Sequence, residues 1–408
     1  MSTTLALFLV VFGGLLLAAG FLDDIAARIR VPGILLVLLL GLLTDNRLEA
    51  LPGQPPPLLS LVQADQIAQV SLVLVLFFGG LTTNWREMRP VLVPAARLAT
   101  VGSVLTAGLL MGVVLALGIL PGTSFKSDIP FALFVGAMVC STDASAVLAL
   151  LRPLAGQVPQ QLINLIECES AFNDPVAVVL CGLALAMARG QAETTAASLV
   201  IEVSRQFLLG ALLGFLGGTL ARQTLSGRQP LASTSQLSVL SLAVLMLLVG
   251  ATQLCGGSGI LAAYVAGLVL GNSPECDRQV LEAAHAGFAK MAELLLFLCM
   301  GLVVQPDQVV VAFGWAVFLF VAMQLARLLM VESVLWRAGF DRSERLLITM
   351  AGLRGAVPIA VAIQAAASTV PWGDAMPPLA LGVVLLGLLL QGFSLVPLAR
   401  RLGLASPE

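Results

Sequence analysis

Four acidic residues lie inside two of the most apolar stretches of the chain. The stretch ECESAFNDP places Glu167, Glu169 and Asp174 between LINLI and VAVVLCGLALAMA, and the stretch STDASAV places Asp143 in a second apolar run. A carboxylate that stays ionised in such surroundings is costly by several kcal/mol unless it is compensated. Each of these groups therefore needs a basic partner, a proton or a bound ion.

Helical spacing separates the polar residues of the first stretch into two faces. Glu167, Ser170 and Asp174 follow the i, i+3, i+7 pattern and share one stripe, whereas Glu169 and Asn173 share the neighbouring stripe. Two faces indicate two separate roles for the acidic residues of one helix.

The second run carries Asp143 beside Thr142 near the midpoint of its segment, and a third run, MAGLRGAVPIAV, carries Arg354 at a similar depth. Gly352 and Gly355 flank this arginine, and a proline follows. Glycine and proline permit a broken helix whose free carbonyls and amides can face a ligand. The pattern predicts interrupted helices at both places.

Two basic residues, Arg327 and Arg354, lie deep in apolar segments and can neutralise the acids. We expect Glu169 to pair with Arg354, and this pair can be purely structural or can take part in transport. Asn173, on the same stripe as Glu169, is interpreted as a hydrogen-bonding scaffold.

Asp143 and Asp174 have different alternatives. Asp143 either caps the N-terminus of a half-helix or serves the functional site directly. Once Arg354 is assigned to Glu169, Asp174 has only Ser170, Thr142 and water near it. A structural role explains Asp174 poorly, so we predict a functional one.

The composition requires that these residues be positioned by membrane-spanning helices. The chain has 408 residues, of which 59% are hydrophobic and 11% charged, with a mean hydropathy of +1.00. A soluble domain carries about a quarter charged residues. The apolar runs are ~20 residues or longer, as in helices, and too long for barrel strands. No basic run indicates a nucleic-acid partner.

About thirteen apolar segments follow from hydropathy and from the positions of Pro, Gly and charged residues. Their approximate bounds are 3–22, 31–44, 65–81, 90–120, 129–151, 158–187, 197–221, 236–253, 256–272, 284–304, 309–335, 343–367 and 377–399. With the N-terminus outside, the outer loops hold only Arg47, Lys126 and Arg189. The inner loops hold most of the other basic residues, which supports an N-out, C-in orientation.

An internal repeat links the two halves of the chain. GILLVLLLGLLTDN begins at Gly33 and GILAAYVAGLVLGN at Gly259, and the following segments share Gly-Leu at Gly80 and Gly301. The copies lie an odd number of segments apart, so they run in opposite directions. Segments 1–6 and 8–13 are predicted to form an inverted repeat in which the discontinuous helices 5 and 12 cross near the membrane midplane.

Four motifs, STDASAV, ESAFNDP, GSGILAAYVAGLVLGN and GLRGAVP, resemble those of the monovalent cation:proton antiporter-1 family, in particular the cell volume regulation type of bacterial sodium or potassium/proton antiporter. The resemblance covers essentially the whole chain. It implies a homodimer in the bacterial inner membrane. Each protomer would have a core around helices 3–6 and 10–13 that moves like an elevator against a dimerisation part formed by the remaining helices.

The resemblance also implies roles for single residues at the alkali cation site. Asp174 resembles the aspartate that binds the cation or the proton, and Ser170 resembles a side-chain ligand. Thr142 is similar to the residue that offers its main-chain carbonyl. Asp143 is similar to a nearby carboxylate that acts through water.

Other positions match the supporting residues of the family. Glu169 and Arg354 resemble its structural ion pair, in agreement with the pairing expected above. Asn173 stands where electrogenic relatives carry a second aspartate, which implies one proton per cation. Glu167 and Arg327 are assigned supporting roles.

Two departures from the family pattern affect the expectations. Many relatives have an acidic residue before the Gly-Gly that ends segment three, where this chain has Phe78, so a third coordinating carboxylate from that helix is in doubt. The chain also stops soon after Arg401. We therefore expect a single transmembrane domain over residues 1–408 without a C-terminal regulatory domain.

The resulting hypothesis is exchange of Na⁺ or K⁺ for H⁺, electroneutral at one to one, by a secondary transporter that is not an enzyme and needs no cofactor. A passive cation channel is one alternative. Another is an intramembrane aspartyl protease using Asp143 and Asp174, although its usual Gly-x-Gly-Asp context is missing. Sequence does not choose among Na⁺, K⁺ and Li⁺, because oxygen ligands suit all three.

Overall fold

The structure is a computed structural model, and it describes residues 3–29, 32–44, 46, 58–118, 128–151, 154, 156–190, 196–226 and 234–405. Within these ranges the regular structure is entirely helical. Nine of the described helices are long and apolar enough to cross a membrane, and four shorter apolar helices accompany them. The protein is an all-helical polytopic membrane protein.

Every apolar segment predicted above contains at least one described helix. The helices are α1 (Thr3–Ile29), α2 (Gly33–Leu43), α3 (Leu61–Thr82), α4 (Trp85–Gly118), α5a (Ile129–Met138), α5b (Ala144–Leu151), α6 (Gln160–Ala188), α7 (Ala196–Ser226), α8 (Thr234–Leu254), α9 (Gly259–Gly271), α10 (Arg278–Val303), α11 (Pro306–Leu335), α12a (Arg342–Met350), α12b (Ala356–Ala367) and α13 (Gly373–Arg401). Helices α4 and α13 each include a short π-helical turn.

Several helices extend beyond their predicted ends, and in two of them a charged residue in the added part has a partner. Helix α1 continues past the predicted end at residue 22, and its Asp23 forms an ion pair with Lys290 of α10 at 2.9 Å. Helix α10 begins six residues before the predicted start, because Asp277 caps it by accepting from the backbone N–H of Gln279 and Val280.

Close backbone contacts join α3 to α9 and α2 to α10. A Cβ atom on Gly267 of α9 would lie 2.2 Å from the carbonyl oxygen of Phe77 in α3. A Cβ atom on Gly301 of α10 would lie 2.4 Å from the carbonyl oxygen of Leu38 in α2. Glycine at such contacts lets helix backbones approach, which is a main source of packing energy between membrane helices.

The asparagine that ends each copy of the repeated motif reinforces the same helix pairs. The side-chain amide of Asn46 donates to the carbonyl oxygen of Leu302 at 2.9 Å, just beyond Gly301 in α10. The side-chain amide of Asn272 donates to the carbonyl oxygen of Thr83 at 2.9 Å, at the end of α3. The contact of α2 with α10 therefore has its counterpart in the contact of α9 with α3.

Two helices are interrupted, and the interruptions meet inside the bundle. One lies between α5a and α5b, and the other lies between α12a and α12b. The backbone N–H of Asp143 in the first donates to the carbonyl oxygen of Leu353 in the second at 2.8 Å. This hydrogen bond brings the half-helix ends, with their unpaired backbone groups, to one place.

Candidate functional site

Arg354 binds the C-terminal end of the half-helix α5a. Its guanidinium donates to the carbonyl oxygen of Cys140 at 3.1 Å and to that of Ser141, and its Nε contacts the sulfur of Met323 at 3.0 Å. The carbonyl end of a helix carries a partial negative charge, so a cation stabilises it. Arg354 is buried and serves the backbone of the first interruption.

Arg327 binds the corresponding end of α12a and also pairs with Glu169. It donates to both carboxylate oxygens of Glu169 at 2.8 and 3.1 Å, and both side chains are 2% exposed. The same guanidinium donates to the carbonyl oxygens of Ile348 at 3.0 Å and Thr349 at 3.2 Å. This pair is well satisfied because a planar guanidinium matches a carboxylate in a bidentate geometry.

The predicted ion pair of Glu169 with Arg354 is therefore wrong in its basic partner. Both arginines lie at mid-bundle depth, and spacing along the chain could not tell which one reaches α6. Gly352 leaves room for Arg327, because a Cβ atom there would lie 2.1 Å from the Nε atom of Arg327. The carbonyl groups of the first interruption occupy Arg354 instead.

Asp143 caps the half-helix α5b and packs against the second interruption. Its Oδ1 accepts from the backbone N–H of Ala146 at 3.3 Å, which supports the capping alternative. A Cβ atom on Gly355 would lie 2.0 Å from Oδ2 of Asp143. Glycine in the GLRG motif thus permits close contact between this carboxylate and the α12 backbone.

The predicted cation ligands Thr142 and Ser170 are adjacent. The hydroxyl of Ser170 donates to the carbonyl oxygen of Thr142 at 2.6 Å and accepts from the backbone N–H of Ala144 at 3.0 Å. Asn173 also binds Thr142: its side-chain amide donates to Thr142 Oγ1 at 2.8 Å, and its side-chain oxygen accepts from the backbone N–H of Thr142 at 3.3 Å. These contacts are the ones expected of Asn173 as a hydrogen-bonding scaffold.

Asp174 lies next to this cluster and is partly exposed to an internal cavity. The hydroxyl of Ser141 hydrogen-bonds its carboxylate, and the charges of Asp174 and Asp143 act on each other. Among the described residues Asp174 has no ion pair. Pro175 follows it and has no N–H, so the carbonyl of Ala171 one turn earlier loses its usual helical donor.

The cavity has a volume of about 390 Å³ and connects these groups. Its polar lining includes Thr142, Asp143, Glu167, Ser170 and Asp174, so the residues that sequence assigned to the ion site share one space. The opposite wall comes from the C-terminal half of α3 and the middle of α10. Such a space, lined by oxygen atoms and an acid without an ion pair, is suited to a small cation or a proton.

Three cavity contacts were missed by the sequence analysis. Ser141 binds Asp174, and Lys290 and Glu293 of α10 line the wall that faces it. Lys290 and Glu293 are three residues apart, which is a spacing that places side chains on one helix face. This spacing was the available signal in the sequence.

Crossed, interrupted helices around a polar cavity are typical of a membrane transporter and frame a candidate ion site, and comparison with known proteins specifies the family. The model of the sodium/hydrogen exchanger family, transmembrane, matches residues 7–401. The chain belongs to this family, as its motifs predicted, and the family comprises monovalent cation/proton antiporters. Its function is transport rather than enzymatic catalysis, so the protease alternative is wrong.

Two relatives and one solved structure show the range of the similarity. The chain is 32% identical over 413 residues to the K(+)/H(+) antiporter NhaP of Alkalimonas amylolytica, covering 98% of this chain and 68% of that protein. It is 32% identical over 400 residues to the K(+)/H(+) antiporter NhaP2 of Shewanella sp. (strain ANA-3), covering 95% and 66%. The chain thus spans about two thirds of the length of these relatives.

The fold is similar to that of MjNhaP1, a sodium proton antiporter from Methanocaldococcus jannaschii. The TM-score is 0.80 at 21% sequence identity, and the match covers 98% of this chain and 99% of the other. At this identity the similarity concerns the fold alone.

Proposed function

We propose that the protein exchanges one monovalent cation for one proton, and that the two compete for the carboxyl group of Asp174. The observation that carries the proposal is that Asp174 faces the cavity beside Ser170 and Thr142 without an ion pair among the described residues. A bare carboxylate is costly in a closed, water-poor core, so a protein that crosses between states holds either a proton or a cation there. Mutual exclusion of the two makes the exchange strict.

The cation would be held by oxygen atoms at the crossing of the interrupted helices. Asp174 would supply a carboxylate, Ser170 its hydroxyl and Thr142 its main-chain carbonyl, which has a second lone pair besides the one used by Ser170. Asp143 would act through a water molecule. The carbonyl of Ala171, which lacks its usual helical donor, is a further oxygen on the same wall.

The one-to-one stoichiometry is supported by the neutral residues and by the pairing of Glu169. Asn173 is uncharged, and Glu169 is fully bonded to Arg327, so neither is expected to load and release a proton during the cycle. Asp174 then remains as the group that changes its occupant. An exchange of one positive charge for another moves no net charge.

We propose thirteen membrane spans with the N-terminus outside, the C-terminus inside and an inverted repeat of helices 1–6 and 8–13. The reciprocal contacts made by Asn46 and Asn272 support the repeat, since a two-fold relation exchanges α2 with α9 and α3 with α10. In this orientation the cavity opens toward the cytoplasm. The expected location is the inner membrane of a bacterium, and the expected assembly is a homodimer.

The moving core would comprise α4–α6 and α11–α13. Sequence resemblance had placed α3 and α10 in the core as well. Their close packing on α9 and α2 favours grouping them with the dimerisation part, so the cavity lies along the boundary between the two parts. Sliding of the core along this boundary would carry Asp174 from one side of the membrane to the other.

Purified protein in proteoliposomes tests this function. A pH-sensitive dye inside the vesicles should report proton movement when KCl, NaCl or LiCl is added in turn. Asp174→Asn should reduce the signal to the level of protein-free liposomes. Glu202→Gln, which alters an exposed ion pair with Arg205 on α7, is the control and should retain exchange. Full exchange by the Asp174 variant would refute competition at this residue.

The same vesicles test stoichiometry and the channel alternative. A membrane potential imposed across the vesicle should leave the rate unchanged if one charge replaces another. Acceleration by the potential would indicate electrogenic exchange. A cation current without a proton requirement would favour a passive channel.

A further inference from the structure

Lys290 lies between two carboxylates on the cavity wall that faces Asp174. Its ammonium nitrogen is 2.9 Å from Oδ2 of Asp23 in α1 and 3.2 Å from Oε2 of Glu293 in α10. The side chains of Lys290 and Glu293 line the cavity and are 45% and 27% exposed. The cluster is therefore reachable from the space that leads to Asp174.

One ammonium shared by two carboxylates leaves a net negative charge on this wall. The charge of Asp143, on the opposite side of the cavity, acts on Glu293. Partly exposed ion pairs are weak, because water and salt compete with them. A mobile cation of the same charge can therefore take the place of the ammonium beside Glu293.

We propose that Glu293 is an entry position for the transported monovalent cation, and that Lys290 is a tethered competitor that occupies this position until a cation arrives. Asp23 holds the ammonium after it withdraws. The inference rests on the proposed function, since it describes how a cation reaches Asp174.

The carboxylates of the cavity come from the side of α5, α6 and α10. Phe78 of α3 lines the same cavity and brings no charge to it. Glu293 on helix α10 adds a fourth carboxylate to that space, together with Asp143, Glu167 and Asp174. Among the described residues that line the cavity, Lys290 is the only cation, so its position decides how much of this negative charge is available.

Opposite changes in apparent affinity are the first test. In proteoliposomes, Glu293→Gln should raise the cation concentration for half-maximal exchange by about threefold or more with little change in maximal rate, because an attractive charge is lost. Lys290→Gln should lower that concentration by a similar factor, because the competitor is lost. Lys290→Arg should behave like the unaltered protein.

A purely structural role predicts a different result. Either substitution breaks the same ion pair, so a structural role would shift both variants in one direction. The double variant Glu293→Gln/Lys290→Gln should match Glu293→Gln alone, since Lys290 acts through Glu293. Glu202→Gln and Arg205→Gln change a pair with the same three-residue spacing outside the cavity and should leave the affinity unchanged.

Chemical labelling of Lys290 is a second test that does not depend on transport. The chain has two lysines, Lys126 and Lys290, so acylation of each is resolved by mass spectrometry with Lys126 as internal reference. KCl or NaCl should increase acylation of Lys290, because a cation at Glu293 removes one of its partners. N-methylglucamine chloride at the same ionic strength should not.

The two proposals fail in different ways. The entry position alone would be overturned if exchange is normal but the apparent affinities of the two variants shift in the same direction or not at all. Acylation of Lys290 would then also be independent of alkali cations. Loss of exchange in the unaltered protein would overturn the proposed function, and the labelling result would still decide whether cations displace Lys290.

Discussion

At the residue scale, two arginines in the middle of the bundle each bind the carbonyl end of a half-helix. Arg354 binds the carbonyl end of α5a, and Arg327 binds the carbonyl end of α12a. They differ in their other partners, since Arg327 is neutralised by Glu169 whereas the Nε of Arg354 rests on the sulfur of Met323. Among the described residues Arg354 has no carboxylate partner, and its guanidinium serves the carbonyl oxygens of the first interruption.

Glu169→Gln should destabilise the protein strongly. The substitution leaves the guanidinium of Arg327 buried without its counter-charge, and breaking a buried pair in this way costs about 3–5 kcal/mol. Thermal unfolding in detergent should show a markedly lower Tm. Asp174→Asn is the matched control on the same helix and should not lower the Tm, because Asp174 has no ion pair among the described residues. An equal loss of Tm in both variants would contradict the separation of structural from transport carboxylates.

The sequence predicted the members of the ion site better than their pairings. The i, i+3, i+7 stripe correctly placed Ser170 and Asp174 on one face of α6, because helical geometry is local. The partner of Glu169 depends on which neighbouring helix brings its arginine close, and hydropathy contains no such information. The wrong choice of Arg354 follows from this limit.

At the scale of elements, the interruptions of α5 and α12 depend on close contact between their backbones. Gly355→Ala should reduce both exchange and Tm, because its Cβ would lie 2.0 Å from Oδ2 of Asp143. Forcing extra atoms into a packed site typically costs about 1–3 kcal/mol. The measurements are proton flux in vesicles and thermal unfolding of the same preparation.

Gly287→Ala in α10 is the control for this substitution. A Cβ atom there would meet no atom within 4 Å, and alanine in a helix interior is favoured over glycine by about 1 kcal/mol. This variant should therefore keep its activity and its Tm. Normal exchange in Gly355→Ala would show that the crossing tolerates displacement.

The ends of helices were predictable where apolar residues continue to the end of the helix. They were missed where the helix continues through charged residues. Asp23 ended the apolar segment predicted for α1, although the helix continues to Ile29 and Asp23 forms an ion pair with Lys290. The first turns of α10 were missed in the same way, because Asp277 caps a polar stretch. A hydropathy profile places the end of an apolar segment at a charged residue. It contains no information about the partner of that residue on a distant helix.

At the scale of the whole molecule, most of the cavity lining belongs to one half of the bundle. Its lining comes mainly from the C-terminal half of α3, the N-terminal half of α6, the middle of α10 and the two helix interruptions. In the proposed orientation the lining parts of α3 and α6 belong to the cytoplasmic half, and the interruptions lie near the midplane. An antiporter alternates between two such openings, so we propose that the structure is the inward-open member of the pair.

Cysteine labelling tests the orientation and the state together. Cys255, directly after α8, is the exposed member of the six free cysteines. It should react with a membrane-impermeant maleimide added to the periplasmic side of spheroplasts. In a Cys255→Ser background, Thr82→Cys at the cavity wall should react only in inside-out vesicles, where the cytoplasmic side faces the reagent. Labelling of Cys255 from the cytoplasmic side would invert the proposed topology. Labelling of Thr82→Cys from the periplasm would mean that the opposite opening is populated, and transported cation should then change the ratio of the two reactions.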